Sequence, residues 1–170
     1  MEQLTYDDFK AMAHASRRAF HLELSDDYNV ASEDAAFGKW QRGEPDDYAW
    51  HRDWLGFLRQ AAAGGTRVER LRIVSLPHTE YTRFGLAIGR LNTEAGEDLR
   101  YLPRDLTQGI DLPGEDYWLL DDDTLILSVF SEDGRTGGFA RETGEQWLRH
   151  ALQVRDQVWE MGIPYATYVA

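Results

Sequence analysis

Hydrophobic residues in the first part of the chain change from a helical spacing to a strand spacing. Between residues 5 and 19 apolar positions recur every three to four residues, after a Thr5-x-x-Asp8 pattern typical of a helix capping box. The next segment, FHLEL at 20–24, alternates apolar and polar residues, as a half-buried strand does. The sequence therefore predicts a helix that leads directly into a strand.

The same two spacings alternate to the end of the chain. They predict helices at 32–42, from Pro45 to about Ala61, from about Thr79 onward, and between Thr143 and Met161. Strands are predicted at 66–76, 98–102, 116–120, 124–130 and, as an edge strand, 136–141, with a turn at SEDGR (131–135). The sequence therefore predicts an α/β (α+β) fold, one domain over residues 1–170, with helices packed on a mixed central sheet.

Three consecutive aspartates, Asp121, Asp122 and Asp123, separate two of these strands in the segment DYWLLDDDTLILSVF. Aspartate is favoured in turns because its carboxylate accepts hydrogen bonds from nearby backbone N–H groups. A magnesium site needs carboxylates that converge from separate elements, whereas three successive side chains point in different directions. We interpret the triplet as a turn and predict no metal or other cofactor, although the sequence leaves a metal at these residues open.

Composition narrows the classes of function. The chain has no cysteine, which excludes disulfides, thiolate catalysis and thiolate zinc sites. Its net charge of −12 argues against direct binding to nucleic acid, which normally rests on clustered Lys and Arg. Neither a signal peptide nor a run of apolar residues long enough to span a membrane is visible. We therefore expect a cytoplasmic protein without a membrane partner.

Motifs that identify common enzyme classes are missing from the sequence. A glycine-rich phosphate loop followed by Lys-Ser/Thr is absent, and so is a Gly-x-Ser-x-Gly nucleophile elbow. His51-Arg52-Asp53 has the letters of a kinase catalytic triplet, but Leu58 stands where that motif has asparagine. We therefore assign no catalytic residue, and the balance of the sequence is against an enzyme.

One junction between a strand and a helix is the candidate ligand site. His78 follows the strand at 66–76, and such junctions form the usual ligand edge of an α/β sheet. Ser75, Tyr81, Arg83 and Trp118 are predicted to surround it. If the protein is an enzyme of small-molecule metabolism, His78 would act there as acid or base.

Two pairs of alternating polar residues are weaker candidates. His21 and Glu23 share one face of their strand, which we interpret as a solvent face. Arg70 and Arg72 could clamp an anion, although such pairs more often offset neighbouring carboxylates. The segment NTEAGEDLRYLPR, with Asn92 to Asp98, is interpreted as a solvated connection.

Several segments carry a resemblance to a known family. YNVASEDAAFGKWQRGEP, RLRIVSLPHTEYTRF, NTEAGEDLRYLPR and DYWLLDDDTLILSVFSEDGRTGG are similar to an uncharacterised family of small actinobacterial proteins of unknown function. The resemblance covers nearly the whole chain. It implies a regulatory setting, because such proteins are often encoded beside helix-turn-helix regulators of the XRE type.

The order of elements also resembles one half of a phospholipase D-like domain. That family carries His-x-Lys-x-x-x-x-Asp, in which histidine attacks phosphorus and lysine neutralises the phosphoryl oxygens. Counting back from Asp121 puts Gly114 at the histidine place and Asp116 at the lysine place. Neither Lys10 nor Lys39 has a histidine two places before it. The resemblance therefore implies a catalytically degenerate phospholipase D-like domain.

The leading hypothesis from the sequence is a non-catalytic interaction or ligand-sensing module. Its expected partner is a helix-turn-helix regulatory protein, a small-molecule ligand is a second candidate partner, and no direct contact to DNA is expected. The alternative is the small-molecule enzyme with its pocket around His78. The sequence gives neither the ligand nor the oligomeric state.

Overall fold

The central feature of the fold is a mixed eight-stranded sheet with helices on both faces. The structure is a computed structural model, and it describes residues 1–130 and 136–170. The strands are β1 (Glu2–Leu4), β2 (Arg18–Glu23), β3 (Arg67–Val74), β4 (Asp98–Pro103), β5 (Tyr117–Leu120), β6 (Thr124–Phe130), β7 (Thr136–Glu142) and β8 (Ile163–Pro164). The helices are α1 (Tyr6–Ala15), α2 (Asp34–Gln41), α3 (Arg52–Ala63), α4 (Glu80–Glu94), α5 (Glu145–Met161) and α6 (Tyr165–Tyr168). The predicted α/β class is confirmed.

The strands lie in the order β1-β7-β6-β5-β2-β3-β4-β8. The middle strands β2, β3 and β4 are parallel, whereas β5, β6 and β7 are antiparallel to their neighbours. Because successive side chains of a strand point to opposite faces of the sheet, each strand contacts two different layers of helices. One layer is formed by α5, and the opposite layer by α1, α3 and α4.

The two layers have different cores. Against α5, the sheet buries aliphatic and aromatic side chains such as Phe20, Leu71 and Tyr117 together with Val158. On the opposite face, α1 and α3 pack on Trp118 and its neighbours, and this core ends where α4 crosses the sheet. A polar group of strand residues lies at that end, and it forms the site described below.

The predicted helix at Pro45 begins later than expected. A 3-10 turn at Ala49–His51 precedes α3, because the side chains of Asp46 and Asp47 accept hydrogen bonds from neighbouring residues instead of starting a helix. Asp46 accepts hydrogen bonds from the Tyr48 backbone, the Trp50 indole and Lys39, and Asp47 accepts one from the Ala49 backbone.

Both ends of the sheet also differ from the prediction. The strand β7 is not an edge strand, because β1 pairs with it. At the opposite end β8 pairs with β4. These two added strands are too short to show a hydrophobic period.

Other predictions hold: the capping box at Thr5 and Asp8 is confirmed, and Thr79 caps α4. The turn predicted at 131–135 lies outside the described residues.

The aspartate triplet forms the turn between β5 and β6, as predicted. Asp121 and Asp122 have left-handed backbone conformations, with φ of 50° and 66°, which aspartate tolerates better than most residues. One carboxylate oxygen of Asp121 accepts hydrogen bonds from the backbone N–H groups of Arg17 and Arg18, at 2.8 and 2.9 Å. Asp122 forms an ion pair with Arg155. The triplet therefore joins the hairpin to the start of β2 and to α5.

We expect Asp121→Ala to lower the free energy of unfolding by about 1–2 kcal/mol, because two backbone donors lose their acceptor and alanine is strained at positive φ. Asp123→Ala is the control, since its carboxylate accepts a hydrogen bond only from the adjacent Thr124 in the described part of the chain. Urea unfolding of both variants measures the difference. Equal effects at the two positions would contradict the assigned role of Asp121.

Candidate functional site

A cavity of about 670 Å³ lies between the sheet and the layer that contains α3 and α4. Strands β2, β3, β4 and β5 form its floor, and the segment between β2 and α2 closes part of its roof together with α3 and α4. Its volume is within the range of small-molecule sites, about 300–1,000 Å³. The cavity is therefore large enough to hold a small-molecule ligand.

The floor is polar because of the register between neighbouring strands. His21 on β2 pairs with Arg70 on β3 and with Trp118 on β5. Glu23 pairs in the same way with Arg72. These five residues line the cavity in two adjacent rows across the sheet. The sequence segments that supply them are far apart, so the site exists only in the folded sheet.

Glu23 is the central charge of the floor. Arg70 donates to it at 2.6 Å, and Arg72 contacts its other oxygen. Arg70 also donates through Nε to Glu97 at 2.9 Å. Burial alone would raise the pKa of Glu23, but the two arginines lower this pKa to about 2. Glu23 is therefore a buried carboxylate that stays ionised.

A chain of hydrogen bonds extends this cluster behind the floor. The Asn92 amide donates to Glu97 at 2.8 Å and accepts from the His51 ring at 2.7 Å. All three side chains are buried. The segment from Asn92 to Asp98 is thus not the solvated connection that the sequence predicted, because Glu97 binds Arg70 and Asn92 binds Glu97.

His21 is the exception in this network. It is 8% exposed, and its ring stacks on the Trp118 indole with centroids 4.1 Å apart and planes 12° apart. Among the residues that the structure describes, neither ring nitrogen has a hydrogen-bond partner. Burial is the main cause that lowers the pKa of His21 to about 3; Glu23 opposes this shift, and the charges of Arg70 and Arg72 support it. The imidazole is therefore neutral at physiological pH, with one donor and one acceptor available.

The roof contributes phenols and carboxyl groups. Tyr28 donates to Asp116 at 2.6 Å, and Tyr81 donates to Glu33. Burial, followed by nearby carboxylates, raises the pKa of both phenols, so they remain hydrogen-bond donors. Burial also raises the pKa of Asp116 to about 6, with the charge of Glu23 as the next cause.

Asp116 and His21 have opposite effects on the pH dependence of stability. Folded Asp116 keeps its proton up to about pH 6, so its contribution is lost as pH rises from about 4 to 6. The unfolded chain protonates His21 below about pH 6.5 while the folded chain does not, so stability is lost as pH falls. Between pH 4.5 and 6 the two contributions nearly cancel.

We expect Asp116→Asn to expose the contribution of His21. Between pH 6 and 4.5 the free energy of unfolding of this variant should fall more steeply than that of the wild-type chain, by up to about 1.4 kcal/mol more for each unit of pH. Denaturant unfolding at several pH values measures the slope. Asp105→Asn, at an exposed position, serves as control. Equal slopes in wild type and Asp116→Asn would contradict the assigned protonation of Asp116.

The structure divides the predicted site residues into two groups. Tyr81 and Trp118 line the cavity, whereas Ser75, His78 and Arg83 are not among its lining residues. The His78 ring donates to the Ser75 carbonyl at 3.1 Å and accepts from the Tyr168 hydroxyl at 2.9 Å. Arg83 donates to the His78 carbonyl. These three residues therefore connect the end of β3 with the first turn of α4.

Four residues of the floor were not selected from the sequence as site residues. The interpretation of His21 and Glu23 as a solvent face was wrong, because both are buried beneath the helical layer. The expectation that Arg70 and Arg72 offset carboxylates is confirmed by Glu23 and Glu97. The alternation of polar residues within each pair was the sequence signal that could have indicated this site.

The described part of the chain contains neither a cluster of metal ligands nor a helix that could span a membrane. Within residues 1–130 and 136–170, no group of three or more His, Asp or Glu side chains is placed to hold a metal ion. Across the same residues, none of the helices has the length and apolar character needed to cross a membrane.

Comparison with known proteins supports the fold and gives the family. NucT from Helicobacter pylori, which has a phospholipase D-like fold, superimposes with a TM-score of 0.51 at 11% identity, over 93% of this chain and 89% of NucT. A search of curated proteins finds no match. Residues 7–170 match the family described as Domain of unknown function (DUF6879). The chain therefore belongs to DUF6879, and its mixed sheet is similar to the phospholipase D-like fold.

Proposed function

We propose that this domain is a non-catalytic ligand-sensing module that binds a small molecule in the cavity and acts with a helix-turn-helix regulatory protein. The observation that carries the proposal is the buried His21, whose ring nitrogens lack a hydrogen-bond partner among the described residues although the ring lines a cavity of ligand size. Buried polar groups are normally hydrogen-bonded, so such a group favours a bound molecule.

The residues at the floor favour binding over phosphodiester chemistry. NucT is a phospholipase D-like nuclease, and the pattern of that fold family is His-x-Lys-x-x-x-x-Asp. Counted from His21, Glu23 stands at the lysine place and Tyr28 at the aspartate place. A carboxylate cannot neutralise phosphoryl oxygens, and it occupies the two nearest arginines. These substitutions support a module that has kept the site but not the reaction.

The partner is proposed from the family setting and from charge. The resemblance of the sequence to small actinobacterial proteins implies a setting beside regulators of the XRE type. The net charge of −12 disfavours direct contact with DNA and suits a basic surface on a DNA-binding protein in the cytoplasm. Ligand binding in the cavity would then change the contact with that regulator.

The enzyme alternative with His78 as acid or base has weaker support. Both ring nitrogens of His78 are engaged by Ser75 and Tyr168, and the ring does not line the cavity. A catalytic base needs a nitrogen that can reach a substrate proton.

The proposal is tested by purifying the tagged protein from its native cytoplasm. Mass spectrometry of the eluate identifies retained small molecules and proteins, and gel shifts measure DNA binding by the neighbouring regulator with and without the protein. We expect a retained small molecule, co-purification of the regulator, and a change in its affinity for DNA. An eluate without either, together with unchanged gel shifts, would overturn the proposal.

A further inference from the structure

The cavity floor carries its own counter-ion. Arg70 and Arg72 are the cations of the floor, and Glu23 lies against both of them. Glu97, which lies behind the floor, also forms an ion pair with Arg70 and offsets its positive charge. The remaining charged groups among the described lining residues are the carboxyls Glu33, Asp53 and Asp116. The cavity therefore has no excess of positive charge.

An anionic ligand would be disfavoured in this arrangement. To reach Arg70 or Arg72 it would have to displace Glu23 or approach it closely inside a desolvated site. Like charges at short distance in a low dielectric repel strongly. Glu23 thus takes the place that a phosphate or a carboxylate of a ligand would otherwise occupy between the two guanidinium groups.

The polar groups left for a ligand are neutral. The His21 ring offers one donor and one acceptor, and neither nitrogen has a hydrogen-bond partner among the described residues. The Trp54 indole N–H, also at the cavity, is buried and has no acceptor in the same part of the chain. A ligand that both donates and accepts hydrogen bonds through one edge would pair with one ring nitrogen of His21 and with the Trp54 N–H.

Aromatic rings define the shape of the space above this floor. Trp54 lies 6.0 Å from Trp118 between ring centroids, and Trp50, Tyr81 and Phe84 line the same cavity from α4 and the turn before α3. Flat aromatic surfaces favour flat ligands, because stacking adds to the burial of apolar area. The walls therefore select for a planar molecule.

We propose that the ligand is a neutral, planar aromatic or heteroaromatic molecule with an amide or lactam edge, and that Glu23 excludes anionic analogues. The inference rests on the proposed function and gives the chemical class of the sensed molecule. Binding satisfies one ring nitrogen of His21 and the Trp54 indole N–H, while the pairs of Glu23 with the arginines stay intact.

Two pairs of probes with matched shapes test this class on the wild-type protein. Nicotinamide and benzamide are neutral amides, and nicotinate and benzoate are the anions of the same size. Fragments of this size are expected to bind at about millimolar concentration. Tryptophan fluorescence and the NMR shift of the Trp54 indole N–H are followed during titration. We expect each amide to bind at least about tenfold more tightly than its carboxylate.

A matched histidine pair locates the binding. His21→Phe keeps a flat ring against Trp118 but removes both nitrogens, and we expect it to weaken amide binding by about tenfold. His14→Phe is the control, because His14 also stacks on an aromatic ring, Phe57, and does not line the cavity. His14→Phe should bind the amides as the wild type does.

Three outcomes overturn the inference. They are equal or tighter binding of the carboxylates, a lack of shifts with both amides up to their solubility, and equal affinity in His21→Phe and wild type. None of them decides the proposed function, which depends on molecules retained from the native cytoplasm and on the regulator. A retained anionic metabolite would agree with the proposed ligand-sensing function and would contradict only the proposal that the ligand is neutral.

Discussion

We expect Glu23→Gln to lower the free energy of unfolding by about 3–5 kcal/mol, because the substitution leaves two buried arginines without their shared carboxylate. Arg70 keeps Glu97, but Arg72 loses its ion-pair partner among the described residues. Urea unfolding at neutral pH measures the loss. The same substitution should also make the floor cationic, so inorganic phosphate is expected to restore part of the lost stability.

Glu94→Gln is the matched control for this experiment. Glu94 pairs with Arg90 on the surface of α4, where its side chain is 56% exposed. Such surface pairs contribute about 0–1 kcal/mol, so the control should unfold almost as the wild type does. Phosphate should stabilise neither the control nor the wild type to the extent seen for Glu23→Gln. A Glu23→Gln variant as stable as the control would show that Glu23 is not the required counter-ion.

Trp118→Ala is expected to lower the free energy of unfolding by about 3–5 kcal/mol. Trp118 is 2% exposed, and it contacts the rings of Phe9, Trp54 and His21. Its removal leaves a void between α1, α3 and the sheet and takes away the surface against which His21 stacks. Denaturant unfolding gives the change in stability, and near-ultraviolet circular dichroism reports the loss of the aromatic cluster.

Trp147→Ala provides the comparison for the loss of an indole. Trp147 lies at the start of α5 and is 53% exposed. Its removal should change the free energy of unfolding by less than about 0.5 kcal/mol, as is usual for surface substitutions. Similar losses in the two variants would mean that Trp118 is not a central part of the core.

Most of the fold could be predicted from local patterns, and the exceptions have local or long-range causes. The helices α1, α4 and α5 have clear apolar stripes, and α1 and α4 also have capping residues at the predicted positions. The helix at Pro45 was predicted too early, because the aspartates that suit a helix start also suit a turn. Strands β1 and β8 have two or three residues and depend on their partners.

The site was only partly predictable because it depends on which strands are neighbours. The alternation of His21 with Glu23 and of Arg70 with Arg72 was visible in the sequence. Their pairing across β2 and β3 was not, since register is set by the whole sheet. The helices that cover the floor also decide whether an alternating polar face is solvated or buried. Tyr81 was selected for its place near a strand–helix junction and Trp118 as a further member of the same predicted pocket, and both line the cavity.

The floor has a consequence for how binding and folding depend on each other. His21, Arg70 and Trp118 come from three strands whose pairing closes long segments of chain, and closing such segments is slow and costs entropy. A fragment that contains any two of these strands lacks part of the binding surface. Occupancy by a ligand would therefore stabilise only the fully assembled chain, and the ligand would protect the whole domain from proteolysis in proportion to its concentration.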